Sequence, residues 1–155
     1  MTKVLFVCHG NICRSTMAEF VMKHLLRERG LEREFFIDSA ATSTEELGNN
    51  VHPGTRRRLA QAGIPCGDHR ARQLRREEYG QFDLLIGMDS ANLRNMNRIL
   101  GGDPEAKIHA LLDYAGRPGQ SIADPWYTGN FDETFDDVLA GCQGLLEQLT
   151  GNGTH

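Results

Sequence analysis

The chain has 155 residues, a formal net charge of −4 and 39% hydrophobic residues, enough for one hydrophobic core over residues 1–150 with 151–155 as a tail. The acidic balance excludes nucleic acid as the main partner, and no apolar run reaches membrane-spanning length. Four cysteines and six histidines show neither a disulfide framework nor metal-ligand spacing, so a cytoplasmic protein without a metal or cofactor is expected.

The N-terminus reads as a strand rather than a basic, cleavable leader. Lys3–Val7 is apolar and β-prone and leads straight into Cys8. Gly10 and Asn11 accept unusual backbone angles, and Arg14-Ser15 open a helical pattern expected over Thr16–Arg29. Strand, loop and helix N-terminus in that order make an anion site, because the N–H groups of a curled loop and a first helical turn converge. The expected phosphate ligands are His9, Gly10, Asn11, Ile12, Cys13 and Arg14. Cys8 falls at the floor of the cradle and Arg14 at its rim, a nucleophile beside a planar bidentate clamp. Such surroundings bring a cysteine pKa from about 8.5 to roughly 3.5–7.5. Ser15 can hydrogen-bond the thiolate and stabilise it as a leaving group. Arg14 and the amides already meet the equatorial oxygens of a transferring phosphoryl group, so the chemistry needs no metal. The alternative for Cys8 is an inert thiol buried at a strand end.

Further short apolar runs suit strands buried on both faces: Phe35–Asp38, Asp83–Gly87 and Lys107–Leu111. Helical patterns cover Pro53–Ala62 and Ser90–Leu100, and Phe131 to Leu149 carries one apolar stripe. Gly30, Gly63 and Gly101-Gly102 stop the first three helices. The alternation implies an α/β fold, a three-layer sandwich with a four-stranded parallel sheet and a phosphate loop after the first strand. Ligands of such folds sit outside the carboxyl ends of the strands, where Cys8 falls. Seven arginines between Arg56 and Arg76 contrast with an acidic end from Asp124 to Asp137, and a solvated face is the default reading of both.

The run Val7-Cys8-His9-Gly10-Asn11-Ile12-Cys13-Arg14-Ser15 resembles the signature of the low-molecular-weight protein tyrosine phosphatases, with Thr16 in place of its final proline. The resemblance continues through Asp38-Ser39-Ala40, His69 to Gln73, Met88 to Leu93 and Asp124-Pro125-Trp126-Tyr127. It implies a phosphotyrosine phosphatase acting through a phosphocysteine, with Cys8, Arg14, Asp124 and Ser15 as the catalytic set. Its partner would be a phosphotyrosine protein, a tyrosine kinase among the candidates, and a monomer is expected. On residue logic alone Asp124-Pro125 is also an ordinary turn starter. The family makes Asp124 the acid that protonates the leaving phenolate.

The resemblance further implies that Asn11, Ser39 and His69 brace the loop, with the Asn11 amide fixed by Ser39 and one His69 nitrogen. Trp126 and Tyr127 can wall a slot for a phenyl ring, or one of them packs on the last helix. Glu45 stands where vertebrate members have an aromatic rim residue, so it removes a wall and adds a charge. Cys13 reads as a small buried residue, and the family adds a protective disulfide with Cys8. His9 reads as a rim residue lending its backbone N–H, while His24, His52 and His109 suggest no chemistry. Three rivals are weaker. Arsenate reduction needs further cysteines that the segment between Cys66 and Cys142 lacks. The arginine phosphatases carry threonine at the place of Ile12, and a phosphocarrier has no use for Arg14 and Asp124.

Overall fold

Strand β1 (Thr2–Cys8) is apolar without alternation from Val4 to Val7, which suits a strand covered on both faces. A computed structural model of the chain, describing residues 1–151, sets β1 inside a four-stranded parallel sheet. β2 (Phe35–Ala41) pairs on one side of β1 and β3 (Leu84–Gly87) on the other. β4 (Ile108–Ala110) pairs with β3 and completes the order β2-β1-β3-β4. β1 is thus the strand from which the order departs in both directions, and Cys8 lies at the carboxyl end of that switch point.

The helices are α1 (Arg14–Glu28), α2 (Pro53–Gln61), α3 (Ser90–Leu100), a short α4 (Pro125–Thr128) and α5 (Phe131–Thr150). Strand periodicity decides which face each β1 residue feeds. Val4, Phe6 and Cys8 join Met17 and Val21 of α1 and Val138, Cys142 and Leu145 of α5 in the larger core. Leu5 and Val7 join Leu85 with Met96 and Leu100 of α3 in the smaller one. Each fully buried side chain of this size contributes about 1.5–3 kcal/mol. The sandwich is therefore three layers deep, with α1, α2 and α5 opposite α3.

The elements expected from the sequence are present, with edges moved by tertiary contacts. β2 runs on to Ala41 instead of ending at Asp38, because Ser39, Ala40 and Ala41 face the buried end of β1. Gln73 then bridges Ala41 in parallel and extends that edge. The fourth strand stops at Ala110, and Leu111–Ala115 coils into a 3-10 turn with Leu111 and Leu112 buried. α1 begins at Arg14, two positions before the expected Thr16–Arg29 span, since the chain has already turned at Cys13 (φ −117°, ψ −86°). Thr16 takes the proline position of the signature and donates its hydroxyl to the Cys13 carbonyl at 2.8 Å. A second 3-10 turn, Arg76–Gly80, and α4 have no counterpart in the sequence reading. Of the expected tail, Gly151 ends α5 and residues 152–155 lie outside the described residues.

α5 approaches the Leu111–Ala115 turn closely because it carries glycine where it crosses. A Cβ on Gly144 would lie 1.9 Å from the Tyr114 carbonyl oxygen. We expect Gly144→Ala to destabilise the fold by about 2–3 kcal/mol through overpacking, outweighing the roughly 1 kcal/mol that alanine gains over glycine in a helix. Urea denaturation should place Gln143→Ala, on the exposed face of the same helix, within about 0.5 kcal/mol of the parent. Equal midpoints for the two variants would contradict this packing account.

Candidate active site

The turn between β1 and α1 folds around the sulfur of Cys8. Asn11 adopts the left-handed region (φ 59°), which lets the loop curl, and its amide donates to Cys8 Sγ at 3.4 Å. Gly10 has no left-handed angle, contrary to expectation. A Cβ there would come within 3.3 Å of Glu46 Cγ, so a larger residue would need that side chain to shift by a few tenths of an ångström. The loop ends where α1 begins, so the first-turn amides, which have no helical acceptors, add to the anion cradle. Ser15 Oγ lies 3.0 Å from Cys8 Sγ. Cys8 is 3% exposed, at the bottom of a cleft of about 110 Å³.

Arg14 is 3% exposed, and its guanidinium is held from three directions. Nη1 donates to Asp89 Oδ2 at 2.7 Å and to the Ile122 carbonyl at 2.9 Å, and Nη2 to Asp124 Oδ2 at 3.4 Å. Of the five N–H donors on a guanidinium, these contacts leave Nε–H and one hydrogen of Nη2 for a phosphoryl group. Burial opposes the charge, but Cys8, Asp89 and Asp124 together hold the guanidinium above its ordinary range. The two carboxylates are also helix caps. Asp89 Oδ1 accepts the Asn92 amide at 2.7 Å to start α3, and Asp124 Oδ1 accepts the Trp126 amide at 3.0 Å to start α4. Asp124 is extended (φ −84°, ψ 112°), the posture a following proline imposes.

Behind the loop, a polar chain braces Asn11. Its Nδ2 donates to both Ser15 Oγ and Ser39 Oγ, at 2.9 Å each, and its Oδ1 accepts the Arg72 amide at 3.2 Å. His69 joins this network differently from expectation. Its Nε2 meets the backbone carbonyl of Asn11 at 2.7 Å rather than the side-chain amide, because that amide is already spent on two serines. Arg72 is itself fixed by Asp38 at 3.0 Å and by both oxygens of Glu78.

At the mouth, Trp126 and Tyr127 are 56% and 82% exposed, so neither is buried against α5. Trp126 meets the His52 ring edge-on at 5.6 Å, and His52 stacks on Phe131 at 5.4 Å. His52 also receives the Gly54 amide on Nδ1 and donates its own amide to the Ile12 carbonyl, tying the rim to the loop. Opposite, Glu45 Oε2 pairs with His9 Nε2 at 2.6 Å, while Ser43 donates to the His9 carbonyl. The rim charge introduced by Glu45 is therefore met by a loop residue. Ile12 and Cys13 bury against Ala71.

The sequence reading names residues that the structure brings together around Cys8, but it does not include Asp89, His52, Arg72 or Glu19, whose carboxylate accepts the Ser39 hydroxyl at 2.5 Å. Asp89 was within reach, as an Asp-Ser-Ala-Asn start to a helix directly after a strand whose carboxyl end faces the site. Nothing local marks the other three.

Residues 3–154 match the family model for the low molecular weight phosphotyrosine protein phosphatases. The low molecular weight protein-tyrosine-phosphatase YfkJ of Bacillus subtilis is 38% identical over 150 residues, 96% of each chain. Its crystal structure has a TM-score of 0.93 at 37% identity, covering 98% of this chain and 96% of that one. The human low molecular weight phosphotyrosine protein phosphatase is 36% identical over 149 residues, 94% of each chain. DARP, a drosophila arginine phosphatase, has a TM-score of 0.85 at 32% identity, covering 96% of this chain and 98% of that one.

The two loop cysteines differ in environment. Burial, then the charges of Cys8 and Asp124, push the Cys13 thiol up to about 12 against the opposing pull of Thr55 and Arg14. A thiol raised that far stays protonated, and unreactive, between about pH 6 and pH 9. Iodoacetamide treatment in that range, followed by peptide mapping, should label Cys8 and leave Cys13 unmodified. Equal labelling of the two would show that Cys13 is not shielded in this way.

Proposed function

The chain belongs to the low molecular weight phosphotyrosine protein phosphatase family, and from that premise we propose that it hydrolyses phosphotyrosine esters on proteins through a phosphocysteine at Cys8, without a metal. The observation that carries this reading is the convergence of Cys8, Arg14 and Asp124 on one narrow cleft, with the sulfur at its floor and two exposed aromatics at its mouth. The two exposed aromatics suit the phenyl ring of a phosphotyrosine.

The loop amides and the free edge of Arg14 bind the equatorial phosphoryl oxygens and take up charge as it develops. The Cys8 thiolate attacks phosphorus in line, forming the S–P bond as the ester P–O bond breaks. Asp124, above the floor, gives its proton to the departing phenolate. The resulting carboxylate then removes a proton from the water that attacks phosphocysteine, and Ser15 donates to the sulfur as the S–P bond breaks. Asn11, Ser39 and His69 keep the loop curled and transfer no proton. Trp126, Tyr127 and Glu45 shape the approach, with Glu45 held against His9 at 2.6 Å.

The reading extends to the cellular setting. A thiolate nucleophile and four free cysteines call for a reducing compartment such as the cytoplasm, and no helix among the described residues is long and apolar enough to cross a membrane. The enzyme works as a monomeric single domain on phosphotyrosine proteins, tyrosine kinases among them.

Matched phosphotyrosine and phosphoarginine peptides, assayed with chelator and reductant, test substrate class and metal independence together. Phosphate should leave phosphotyrosine alone, and preference for phosphoarginine would overturn the substrate assignment. Cys8→Ser should abolish turnover. Asp124→Asn should lower kcat on the phosphotyrosine peptide by about 10²–10⁴-fold, with a smaller loss on a nitrophenyl ester whose leaving group needs less help. Undiminished activity in Asp124→Asn would remove it from the mechanism.

A further inference from the structure

We propose that the cleft between α2 and the start of α5 docks an acidic side chain of the substrate, two or three residues along from the phosphotyrosine, and that Arg57 is the group that reads it. The proposal rests on the phosphotyrosine reading and adds the kind of sequence that such a substrate carries beside its target residue.

Helix α2 carries three arginines in a row, and two of them are already occupied. Arg56 donates to the Asn50 side chain at 3.0 Å and to the Cys66 carbonyl at 3.4 Å. Arg58 pairs through Nε with Asp132 at 2.7 Å and lies 4.1 Å over the Phe135 ring. Arg57 is exposed and has no hydrogen-bonding or ionic partner among the described residues. Gln61, one turn along the same face of the helix, is equally free. Both line a cleft of about 320 Å³ whose far wall is the turn from Thr128 to Asn130. Asp132 also lines it, but that carboxylate is met by Arg58, so the uncompensated charge is the Arg57 guanidinium. Asp132 and Glu133 also answer the dipole of α5, so the helix end itself adds no attraction. A guanidinium with all its donors open suits a carboxylate, which it meets with two parallel hydrogen bonds.

The position of this cleft links it to the chemistry. Trp126 lines the cleft that holds Cys8, and Phe131 lines this one. The His52 ring stands between them, 5.6 Å from Trp126 and 5.4 Å from Phe131. Three extended residues of a peptide span about 10 Å, the width of that aromatic partition. A phosphotyrosine seated against Trp126 therefore delivers a side chain two or three places away to Arg57. The opposite wall of the mouth works against an acid. Glu45 and Glu46 line it, and each keeps one carboxylate oxygen without a partner among the described residues. An acidic substrate residue is thus repelled on that side and met by a cation on the α2 side, which sets the direction in which the peptide lies.

Four phosphotyrosine peptides with otherwise neutral flanks test this, carrying glutamate or lysine three residues before or three residues after the phosphotyrosine. At one of the two positions the glutamate peptide should have a kcat/KM about three- to tenfold above its lysine counterpart at low ionic strength, since attraction of one and repulsion of the other compound. The difference should lie in KM, and added salt should shrink it. Arg57→Glu should bring the ratio to one or below. Nitrophenyl phosphate, which has no flanks, should be turned over equally by the parent and the variant, which shows that the variant is folded. A ratio near one at both positions in the parent, or a ratio that survives Arg57→Glu, overturns the proposal, and continued turnover of the peptides leaves the phosphatase reading standing. A protein that hydrolyses neither the peptides nor nitrophenyl phosphate would sink the phosphatase reading and this proposal with it.

Discussion

A guanidinium taken out of water has to be met by fixed acceptors, and here that requirement falls on Arg14. Its partners come from two separate stretches of chain: Asp89 at the start of α3, and the segment leading into α4, which supplies the Ile122 carbonyl and Asp124. Removing one partner from a buried charge of this kind costs about 3–5 kcal/mol, so the two stretches are held where Arg14 needs them. The phosphate loop inherits its shape from the same constraint. With Arg14 fixed as the first residue of α1, the chain between Cys8 and Arg14 has little choice but to curl.

Asp89 and Asp124 solve two problems with one side chain each. One oxygen caps a helix and the other faces the guanidinium. Capping removes rotamer freedom from the carboxylate, so little entropy remains to be lost when it meets Arg14. The parallel sheet makes this possible. All four strands release their chains at the same edge, so helix starts gather there. The aromatic stack of Trp126, His52 and Phe131 adds an apolar hinge pin to the α4 segment from outside.

Local features of the sequence were enough to locate most of the fold. Four apolar runs became four strands, and Ser90–Leu100 matches its expected bounds because a capping aspartate and a glycine delimit it. The Cys8 to Arg14 spacing was sufficient to pick out two residues that the structure sets in one cleft. What stayed hidden depends on atoms brought together from far apart. Glu19 looks like any helical glutamate until β2 lays Ser39 over it. Whether His69 meets the side chain or the backbone of Asn11 turns on how many hydrogens that amide has left. Glu45 announced an unmatched charge at the rim, and only the folded loop supplies His9 to answer it. The α1 start was misjudged for the same reason, since Arg14 is fixed by partners beyond Met88 rather than by its own propensity.

Arg14 and Asp124 are 110 residues apart along the chain, and that separation has a consequence for the order in which the protein comes into being. Contacts across so long a loop form late in folding, after the local helices and the first strand pairs. A chain emerging from synthesis therefore displays Cys8 and Arg14 long before Asp124 has been made, and the contact between Arg14 and Asp124 can form only afterwards. The cleft around Cys8 takes shape with the final closure of the fold, so an unfinished chain carries this cysteine without the neighbours that surround it in the finished one.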